Sequence, residues 1–278
     1  MTPLSPRPLG NTGIKVSPLG LGTVKFGRDQ GLKYPNQFKL PPDHEILALF
    51  REARALGINF IDTAPAYGAS EEKIGKLLPD RQDWVIGTKV GEEFSAGKSH
   101  FDFSGAHTRD SVERSLRRLK TDYLDLVLIH SDGSDLHILE NTDCLESLLR
   151  MKEEGLIRAV GMSTKSVEGG KRTLALSDIA MVTYNSSHTK ESPVIDLAQR
   201  IGKAIIVKKA LNSGHIAREP GGNELALEFV LSKAGVSSVV VGTINPAHLR
   251  SNARAAAIFQ QKTHLIPRPG DFVNDVGR

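Results

Sequence analysis

The chain has 278 residues, with 36 Lys and Arg against 32 Asp and Glu, so its formal net charge is only +4. Because the basic residues are scattered, the composition argues against a nucleic-acid surface, while small anionic ligands are compatible with it. The single cysteine, Cys144, excludes an intrachain disulfide, and no apolar run approaches the roughly 18 residues that a membrane helix requires. We therefore expect a soluble, cytoplasmic protein whose partner is a small molecule, not a nucleic acid or a membrane.

The first predicted elements are a hairpin and eight short strands. Residues 7–18, RPLGNTGIKVSP, predict a small β-hairpin with residues 11–13 at its turn. Apolar runs rich in Val, Ile and Leu then predict strands at 19–23, 59–62, 84–89, 123–130, 158–163, 179–185, 204–209 and 237–242. Segments of helical period lie between these strands, among them 44–57, 108–120, 143–155, 194–202 and 223–235. Strands and helices thus alternate along the chain.

This alternation is typical of parallel strands joined by crossover helices. Eight βα units in about 250 residues match the size of a TIM barrel. No G-x-G-x-x-G turn follows the first strand, as it commonly does in a doubly wound nucleotide-binding sheet. We therefore predict an α/β protein with a single (β/α)8 barrel domain over residues 1–278 and with the N-terminal hairpin capping the bottom of the barrel.

Four polar side chains fall at or after the carboxyl ends of three neighbouring predicted strands. Asp62 ends the second strand, Lys89 the third and His130 the fourth, while Tyr67 lies in the loop after the second. Since all barrel strands point these ends at one face, where reactive groups collect, we expect the four to converge. Each also has an ordinary interpretation when taken alone: a helix-capping acid, an exposed strand end, a buried histidine bonded to a backbone carbonyl and a packed tyrosine.

Together the four side chains favour proton transfer to a carbonyl oxygen. A phenol has a pKa near 10 in water, and an ammonium from Lys89 lowers that value because it favours the phenolate. Asp62 is placed to keep Lys89 charged, and His130 is placed to hydrogen-bond and orient the same substrate oxygen. No amino-acid side chain gives a hydride, so a nicotinamide cofactor is implied for the carbon.

Several segments together resemble the aldo-keto reductase family over nearly the whole chain. They are LGNTGIKVSPLGLGT, NFIDTAPAYGASEEKIGKLL, VIGTKVG, YLDLVLIHS, GLIRAVGMSTKS and VVVGTINPAHLRSNARA. The resemblance implies that an aldehyde or ketone is reduced by NADPH, and that Tyr67 donates the proton. The family's catalytic tetrad falls by position on Asp62, Tyr67, Lys89 and His130. No residues are assigned to a metal.

The resemblance also implies which residues bind the cofactor. Ser163 stands where the family contacts the nicotinamide amide, and three departures surround it: Thr164 for asparagine, Met181 for glutamine and Lys208 for an aromatic ring. The other assigned residues follow the last two strands: Leu211, Asn212, Ser213 and Gly214 over the pyrophosphate, then Gly242, Thr243, His248 and Asn252 toward the adenosine phosphate and adenine. NADPH is favoured, with NADH as the alternative.

The predictions about the substrate rest on one long segment and on nearby positive charge. The segment GEEFSAGKSHFDFSGAH, shortly after Lys89, is long and contains three phenylalanines, which predicts a substrate-lining loop or lid. Lys208, Lys209 and His188 add positive charge and favour a polar or anionic carbonyl compound. Two other functions stay open: a NADPH-binding regulatory subunit resembling the β-subunits of potassium channels, and a lyase that forms a Schiff base on Lys89. The oligomeric state is left as a monomer or a weak homo-oligomer.

Overall fold

Eight parallel strands close into a barrel in the computed structural model, which describes residues 2–32, 37–212 and 221–264. In chain order the strands of this described part are β1 Arg7–Pro8, β2 Lys15–Val16, β3 Leu19–Gly22, β4 Phe60–Asp62, β5 Val85–Val90, β6 Glu92–Ser95, β7 Lys98–Phe101, β8 Leu124–His130, β9 Ile157–Ser163, β10 Ile179–Thr183, β11 Ala204–Lys208 and β12 Val236–Gly242. The barrel runs β3-β4-β5-β8-β9-β10-β11-β12, and β12 pairs with β3 to close it. The predicted barrel and its eight strands are confirmed.

Helices surround the barrel and cover the outer face of the strands. They are α1 Val24–Gly27, α2 Asp43–Ala55, α3 Ser70–Leu77, α4 Gly105–Leu119, α5 Asp135–Asn141, α6 Cys144–Glu153, α7 Val167–Leu176, α8 Ser192–Ile201, α9 Gly222–Leu231 and α10 Pro246–His264. In α2 the buried residues Ile46, Leu49, Phe50 and Ala53 recur at spacings of three and four, so one stripe of the helix faces the barrel. No helix in the described ranges is long and apolar enough to cross a bilayer.

The register of the strands places their carboxyl ends at one rim. Asp62 lies opposite Gly87 on the neighbouring strand, and His130 lies opposite Ser163. All six residues of β5 are buried, as expected for a parallel strand that is covered by side chains inside and by helices outside. The polar ends of these strands therefore share one face of a rigid ring.

The N-terminal hairpin covers the opposite, lower end of the barrel. β1 and β2 pair antiparallel, with Arg7 opposite Val16. Leu9, Ile14 and Val16 are at most 2% exposed, and they pack in one cluster with Phe60, the first residue of β4. The predicted hairpin and its capping position are confirmed.

A second hairpin, formed by β6 and β7, occupies the segment for which the sequence predicted a substrate-lining loop or lid. Its ladder begins with Glu92 opposite Phe101. Successive side chains of β6 point to opposite faces, because a strand has a period of two residues. Glu93 pairs with Arg114 of α4, whereas Glu92 lies 2.7 Å from His130 at the barrel rim. The segment is thus a regular hairpin that is anchored on both faces.

Asp125 ties three neighbouring strands together near the amino end of the barrel. Its side chain is 1% exposed, and its Oδ2 accepts hydrogen bonds from the backbone N–H of Ile86 at 3.0 Å and from Arg81 at 2.9 Å. The other oxygen, Oδ1, accepts from Arg158 of β9 at 2.7 Å. One carboxylate of β8 therefore fixes β5 and β9, the strands that carry Lys89 and Ser163 near the other rim.

Substitution of Asp125 should lower stability strongly. We expect Asp125→Ala to reduce the free energy of unfolding by about 2–4 kcal/mol, because it leaves the buried N–H of Ile86 and the partly buried guanidinium of Arg81 without their acceptor. Urea unfolding followed by circular dichroism measures the change. The exposed neighbour Asp122 is the control, since Asp122→Ala should change stability by no more than about 0.5 kcal/mol. Equal effects of the two substitutions would contradict the assignment.

Candidate active site

A cavity of about 1030 Å³ opens at the carboxyl rim of the barrel. Its lining includes the last residues of six barrel strands: Gly22, Asp62, His130, Ser163, Lys208 and Gly242. Residues from the loops after these strands also line it. Tyr67 and Lys89 also line it. A cavity of this size at this face of the barrel is the usual place for a ligand.

The four polar residues singled out in the sequence meet on the wall of this cavity. Lys89 Nζ donates a hydrogen bond to Asp62 Oδ1 at 2.7 Å and contacts the Tyr67 hydroxyl at 3.1 Å. The Tyr67 hydroxyl lies 3.5 Å from Asp62 Oδ2, and the rings of Tyr67 and His130 are edge-to-face with their centroids 6.4 Å apart. The structure therefore brings all four side chains together.

Two glycines allow the backbone approach that positions Tyr67. A Cβ atom on Gly27 would lie 2.4 Å from the Tyr67 carbonyl oxygen and 2.3 Å from the N–H of Ser70. Gly68, directly after Tyr67, has a φ of +61°, and a Cβ there would lie 2.2 Å from the Gly27 carbonyl oxygen. Because both sites exclude any side chain, α1 and the loop that carries Tyr67 pack backbone against backbone.

Buried hydroxyl groups hold the end of β4 in place. Thr23 donates both its backbone N–H and its hydroxyl to the carbonyl oxygen of Asp62, at 3.0 and 2.9 Å. The Ser70 hydroxyl lies 2.8 Å from the Thr23 hydroxyl and 3.0 Å from that of Thr63. Asp62 therefore serves no helix cap: its backbone is fixed by this network and its side chain is turned to Lys89.

The contacts of Lys89 keep it charged although it is buried. Its side chain is only 2% exposed, and burial alone lowers the pKa of a lysine. Here the carboxylate of Asp62 and the hydroxyl of Tyr67 outweigh the burial and raise the pKa of Lys89 above its ordinary value. The Thr63 carbonyl oxygen accepts a third hydrogen bond from Nζ at 2.9 Å. Lys89 is consequently a fixed ammonium and not an exposed strand end.

No backbone carbonyl of the described residues binds the His130 ring, although the ordinary interpretation supposed one; the ring instead faces a carboxylate at ion-pair distance, without a hydrogen bond to Nδ1. Its Nδ1 lies 2.7 Å from Oε2 of Glu92, whose side chain is 12% exposed. Burial lowers the pKa of His130, as do the positive charges of Lys89 and Lys208, while Glu92 raises it. Sequence reasoning missed Glu92 because nothing local connects this hairpin residue to a strand end 38 residues later.

Lys208 fills the part of the cavity next to Ser163. Its Nζ donates hydrogen bonds to the Ser163 hydroxyl at 2.7 Å and to the Thr164 carbonyl oxygen at 2.8 Å. Burial lowers the pKa of Lys208 to about 7, although the nearby carboxylate of Glu191 opposes the shift. Glu191 was also missed from the sequence; it accepts a hydrogen bond from the Thr183 backbone at 3.1 Å. This part of the cavity is therefore polar.

Most of the other predicted cofactor residues line the same cavity. Thr164 is fully buried, and its hydroxyl lies 3.5 Å from the Met181 carbonyl oxygen, so its side chain is turned away from the cavity. Ser213 and Gly214 lie outside the described residues. The predicted residues that do line the cavity are Ser163, Met181, Lys208, Leu211, Asn212, Gly242, Thr243, His248 and Asn252.

Two buried amide oxygens show that this end of the cavity suits a polar ligand. Oδ1 of Asn252, a residue 2% exposed, and Oδ1 of Asn223 have no hydrogen-bond partner among the described residues. Both side chains line the cavity. Thr243 lies just before the start of α10, and its hydroxyl accepts from the N–H of Asn245 at 3.1 Å. Because buried polar atoms are normally paired, the residues present fit a nucleotide here. Asn223 was not found from the sequence.

Comparison with known proteins places the chain in the class of NAD(P)H-dependent oxidoreductases built on a TIM barrel. The model of the aldo/keto reductase family matches residues 18–223. The chain therefore belongs to the aldo/keto reductase family, and the resemblance read from its motifs is confirmed.

Several relatives cover nearly the whole chain. A solved structure described as an aldo-keto reductase from Pseudomonas aeruginosa is 56% identical and has a TM-score of 0.84, with 92% of this chain and 95% of that chain covered. L-galactose dehydrogenase of Arabidopsis thaliana is 29% identical over 92% of this chain and 89% of its own length. D-threo-aldose 1-dehydrogenase of a Pseudomonas species is 26% identical, with 88% and 91% covered.

Proposed function

We propose that this oxidoreductase uses NADPH to reduce an aldehyde or ketone to the alcohol, with Tyr67 as the proton donor. The observation that carries the proposal is the buried ammonium of Lys89, which lies between the Asp62 carboxylate at 2.7 Å and the Tyr67 hydroxyl at 3.1 Å on the cavity wall. An ammonium next to a phenol stabilises the phenolate that remains after the proton has left. Asp62 in turn keeps the ammonium protonated.

Each side chain has a separate task in this proposal. Tyr67 hydrogen-bonds the carbonyl oxygen and transfers its proton as negative charge develops there. Lys89 stabilises the resulting phenolate, and Asp62 compensates the buried charge of Lys89. His130 contacts the same substrate oxygen and orients it. A nicotinamide bound in the cavity supplies the hydride that no side chain can provide.

The cofactor would be held by residues from the last strands of the barrel. Ser163, with Lys208 bonded to it, lies beside the reacting groups and would contact the nicotinamide end. Thr243 and the start of α10 would hold phosphate oxygens, because the positive end of the helix dipole lies there and attracts anions. Asn252 would hydrogen-bond the adenine end through the oxygen that is unpaired among the described residues.

The charge of the cavity supports NADPH and a polar substrate. Its described lining contains seven Lys and Arg side chains but only two acids, Asp62 and Glu191. A positive cleft concentrates anionic ligands such as a dinucleotide phosphate. Two of the relatives compared above are named as sugar dehydrogenases. We therefore propose a small polar carbonyl compound, such as a sugar-derived aldehyde, over a large apolar one.

Substitution of His248 tests whether the protein prefers NADPH to NADH. It lines the cavity on α10, whereas Arg250, two residues later, pairs with Glu52 of α2 at 3.2 Å. We expect His248→Ala to weaken NADPH binding roughly threefold to tenfold and to leave NADH binding unchanged, because only NADPH carries the additional phosphate. Fluorescence titration measures both affinities. Arg250→Ala is the matched control, and an equal loss for both cofactors would place the phosphate elsewhere.

The proposed function is tested by cofactor titration followed by a screen of small aldehydes and ketones. Oxidation of NADPH that requires one of these carbonyl compounds supports the reductase. Tight NADPH binding without consumption by any of them would favour the regulatory subunit. Borohydride trapping of a substrate adduct on Lys89 would favour the lyase; its charged state, fixed by Asp62, argues against that reaction because a Schiff base forms from the neutral amine.

A further inference from the structure

The side chain of Lys208 reaches across the mouth of the barrel. Lys208 ends β11 and lies opposite Thr183 of the neighbouring strand β10. Its Nζ extends past that strand to β9, where it donates to the Ser163 hydroxyl at 2.7 Å and to the Thr164 carbonyl oxygen at 2.8 Å. Ser163 in turn lies opposite His130 of β8. The ammonium of Lys208 therefore lies in the cavity one strand away from the reacting groups.

No ion pair cancels the charge of Lys208. Both of its hydrogen-bond partners are neutral oxygens, and no carboxylate in the described ranges lies within ion-pair distance of its Nζ. Lys89, by contrast, has the Asp62 carboxylate at 2.7 Å. Glu191 attracts Lys208 from farther away, while its own Oε1 accepts from the Thr183 backbone N–H at 3.1 Å. A ligand that binds against Lys208 thus meets a positive charge that is compensated only in part.

The nicotinamide end of the cofactor has to lie beside this ammonium if the proposed function holds. The hydride passes directly from the ring to the carbonyl carbon, so the ring must contact a substrate whose oxygen is bound by Tyr67 and His130. An ammonium can only donate, so the Ser163 hydroxyl accepts from Lys208 and keeps its own hydrogen for another acceptor. The amide oxygen of the nicotinamide is such an acceptor.

We infer that Lys208 discriminates between the two redox states of the cofactor: its ammonium disfavours NADP⁺ and leaves NADPH tightly bound. This inference rests on the proposed function. The nicotinamide ring carries a positive charge in NADP⁺ and none in NADPH, and the remainder of the two molecules is the same. A cation beside the ring therefore repels only the oxidised form, more strongly than it would in bulk water.

This discrimination acts on the exchange of the cofactor. An enzyme that repels NADP⁺ binds NADPH selectively when both are present, and it releases the oxidised form readily after each turnover. The ammonium of Lys208 also opposes the positive charge that the ring gains when its hydride leaves. The advantage therefore lies in the release of the oxidised cofactor and not in the chemical step, and it favours carbonyl reduction over alcohol oxidation.

The charge of Lys208 changes within the pH range in which binding can be measured. Burial lowers its pKa to about 7. The charged and titratable groups of the described residues that act on it are Glu191 just before α8, Lys209 next in the chain, Lys89 of β5, Lys165 after β9 and His130 of β8. Lys208 is protonated below its pKa and neutral above it. The discrimination should therefore be full near pH 6 and lost near pH 9.

The experiment is isothermal titration calorimetry of the wild type and Lys208→Met with NADP⁺ and with NADPH. Methionine has about the length of lysine but no charge. At about pH 6 we expect the ratio of the dissociation constants, Kd for NADP⁺ over Kd for NADPH, to be roughly tenfold lower in Lys208→Met than in the wild type. At about pH 9 the two proteins should have similar ratios. Contacts with the phosphates and the adenine affect both cofactors and cancel in this ratio.

Two further variants separate the charge from other effects of the substitution. Lys208→Arg keeps a positive charge that does not titrate in this range, so its ratio should stay high at both pH values. Lys203→Met is the matched control, because Lys203 directly precedes β11 at the other end of the barrel, where its Nζ donates to the Ser177 carbonyl oxygen at 2.5 Å. Its ratio should equal that of the wild type.

Equal ratios in the wild type and Lys208→Met at about pH 6 would overturn the role of Lys208. A ratio in the wild type that did not fall between about pH 6 and pH 9 would overturn it as well. Since the affinities are measured without turnover, either result would leave the proposed reductase activity untouched. Failure of the wild type to bind either cofactor would overturn the inference and the proposed function together.

Discussion

Tyr67→Phe should abolish nearly all carbonyl reduction and leave NADPH binding close to unchanged. The substitution deletes one hydroxyl, so the cavity keeps its shape while the proposed proton donor is lost. General-acid catalysis typically contributes about 100-fold to 10,000-fold, and we expect the loss in kcat to fall in that range. Steady-state kinetics with the best aldehyde of the screen and fluorescence titration of NADPH measure the two effects separately.

Tyr184→Phe is the control for this result. Tyr184 is 7% exposed and stacks on Phe229 outside the cavity lining, so it tests the loss of a tyrosine hydroxyl elsewhere in the fold. Its activity should equal that of the wild type. If Tyr67→Phe reduced NADPH binding as much as turnover, Tyr67 would be a structural residue of the cofactor cavity, and the proton would have to come from another group.

Lys89→Met should remove activity and also destabilise the protein. Methionine has about the length of lysine but no charge, so the buried Asp62 carboxylate would lose the cation that lies 2.7 Å away. Breaking one side of a buried ion pair costs about 3–5 kcal/mol, and we expect a loss of this size in the free energy of unfolding. Urea unfolding and the NADPH oxidation assay give the two measurements.

The double variant Asp62→Asn, Lys89→Met separates stability from catalysis. Replacing both members of a buried pair by neutral residues is often tolerated, so most of the lost stability should return. Activity should not return, since no ammonium then stabilises the Tyr67 phenolate. Recovery of activity together with stability would show that Lys89 has only a structural role.

The fold was predictable because its signal is local. Most barrel strands are largely apolar runs with buried side chains, and helices with an apolar stripe lie between them along the chain, as β10 and α2 illustrate. The places of Asp62, Lys89 and His130 followed from the rule that parallel strands end at one rim. Their meeting in space required no knowledge of side-chain conformation.

The remainder of the site depends on contacts that leave no local pattern. Glu92 approaches His130 only because β6 and β7 fold as a hairpin over the rim, and the segment lacks the alternation that would have predicted this. Lys208 was identified as a departure from the family pattern, but its bonds to Ser163 and Thr164 are long-range. Asn223 could not be identified from the sequence either, because its unpaired amide oxygen can be interpreted only when the cavity it lines is known.

The N-terminal hairpin also affects the order in which cofactor and substrate bind. In the part of the chain that the structure describes, it plugs the lower end of the barrel, and the cavity opens at the other end. A cofactor and a substrate that use the same opening cannot bind and dissociate independently. The molecule that binds deeper in the cavity has to bind first and dissociate last. Product-inhibition patterns in steady-state kinetics would therefore report which of the two lies deeper.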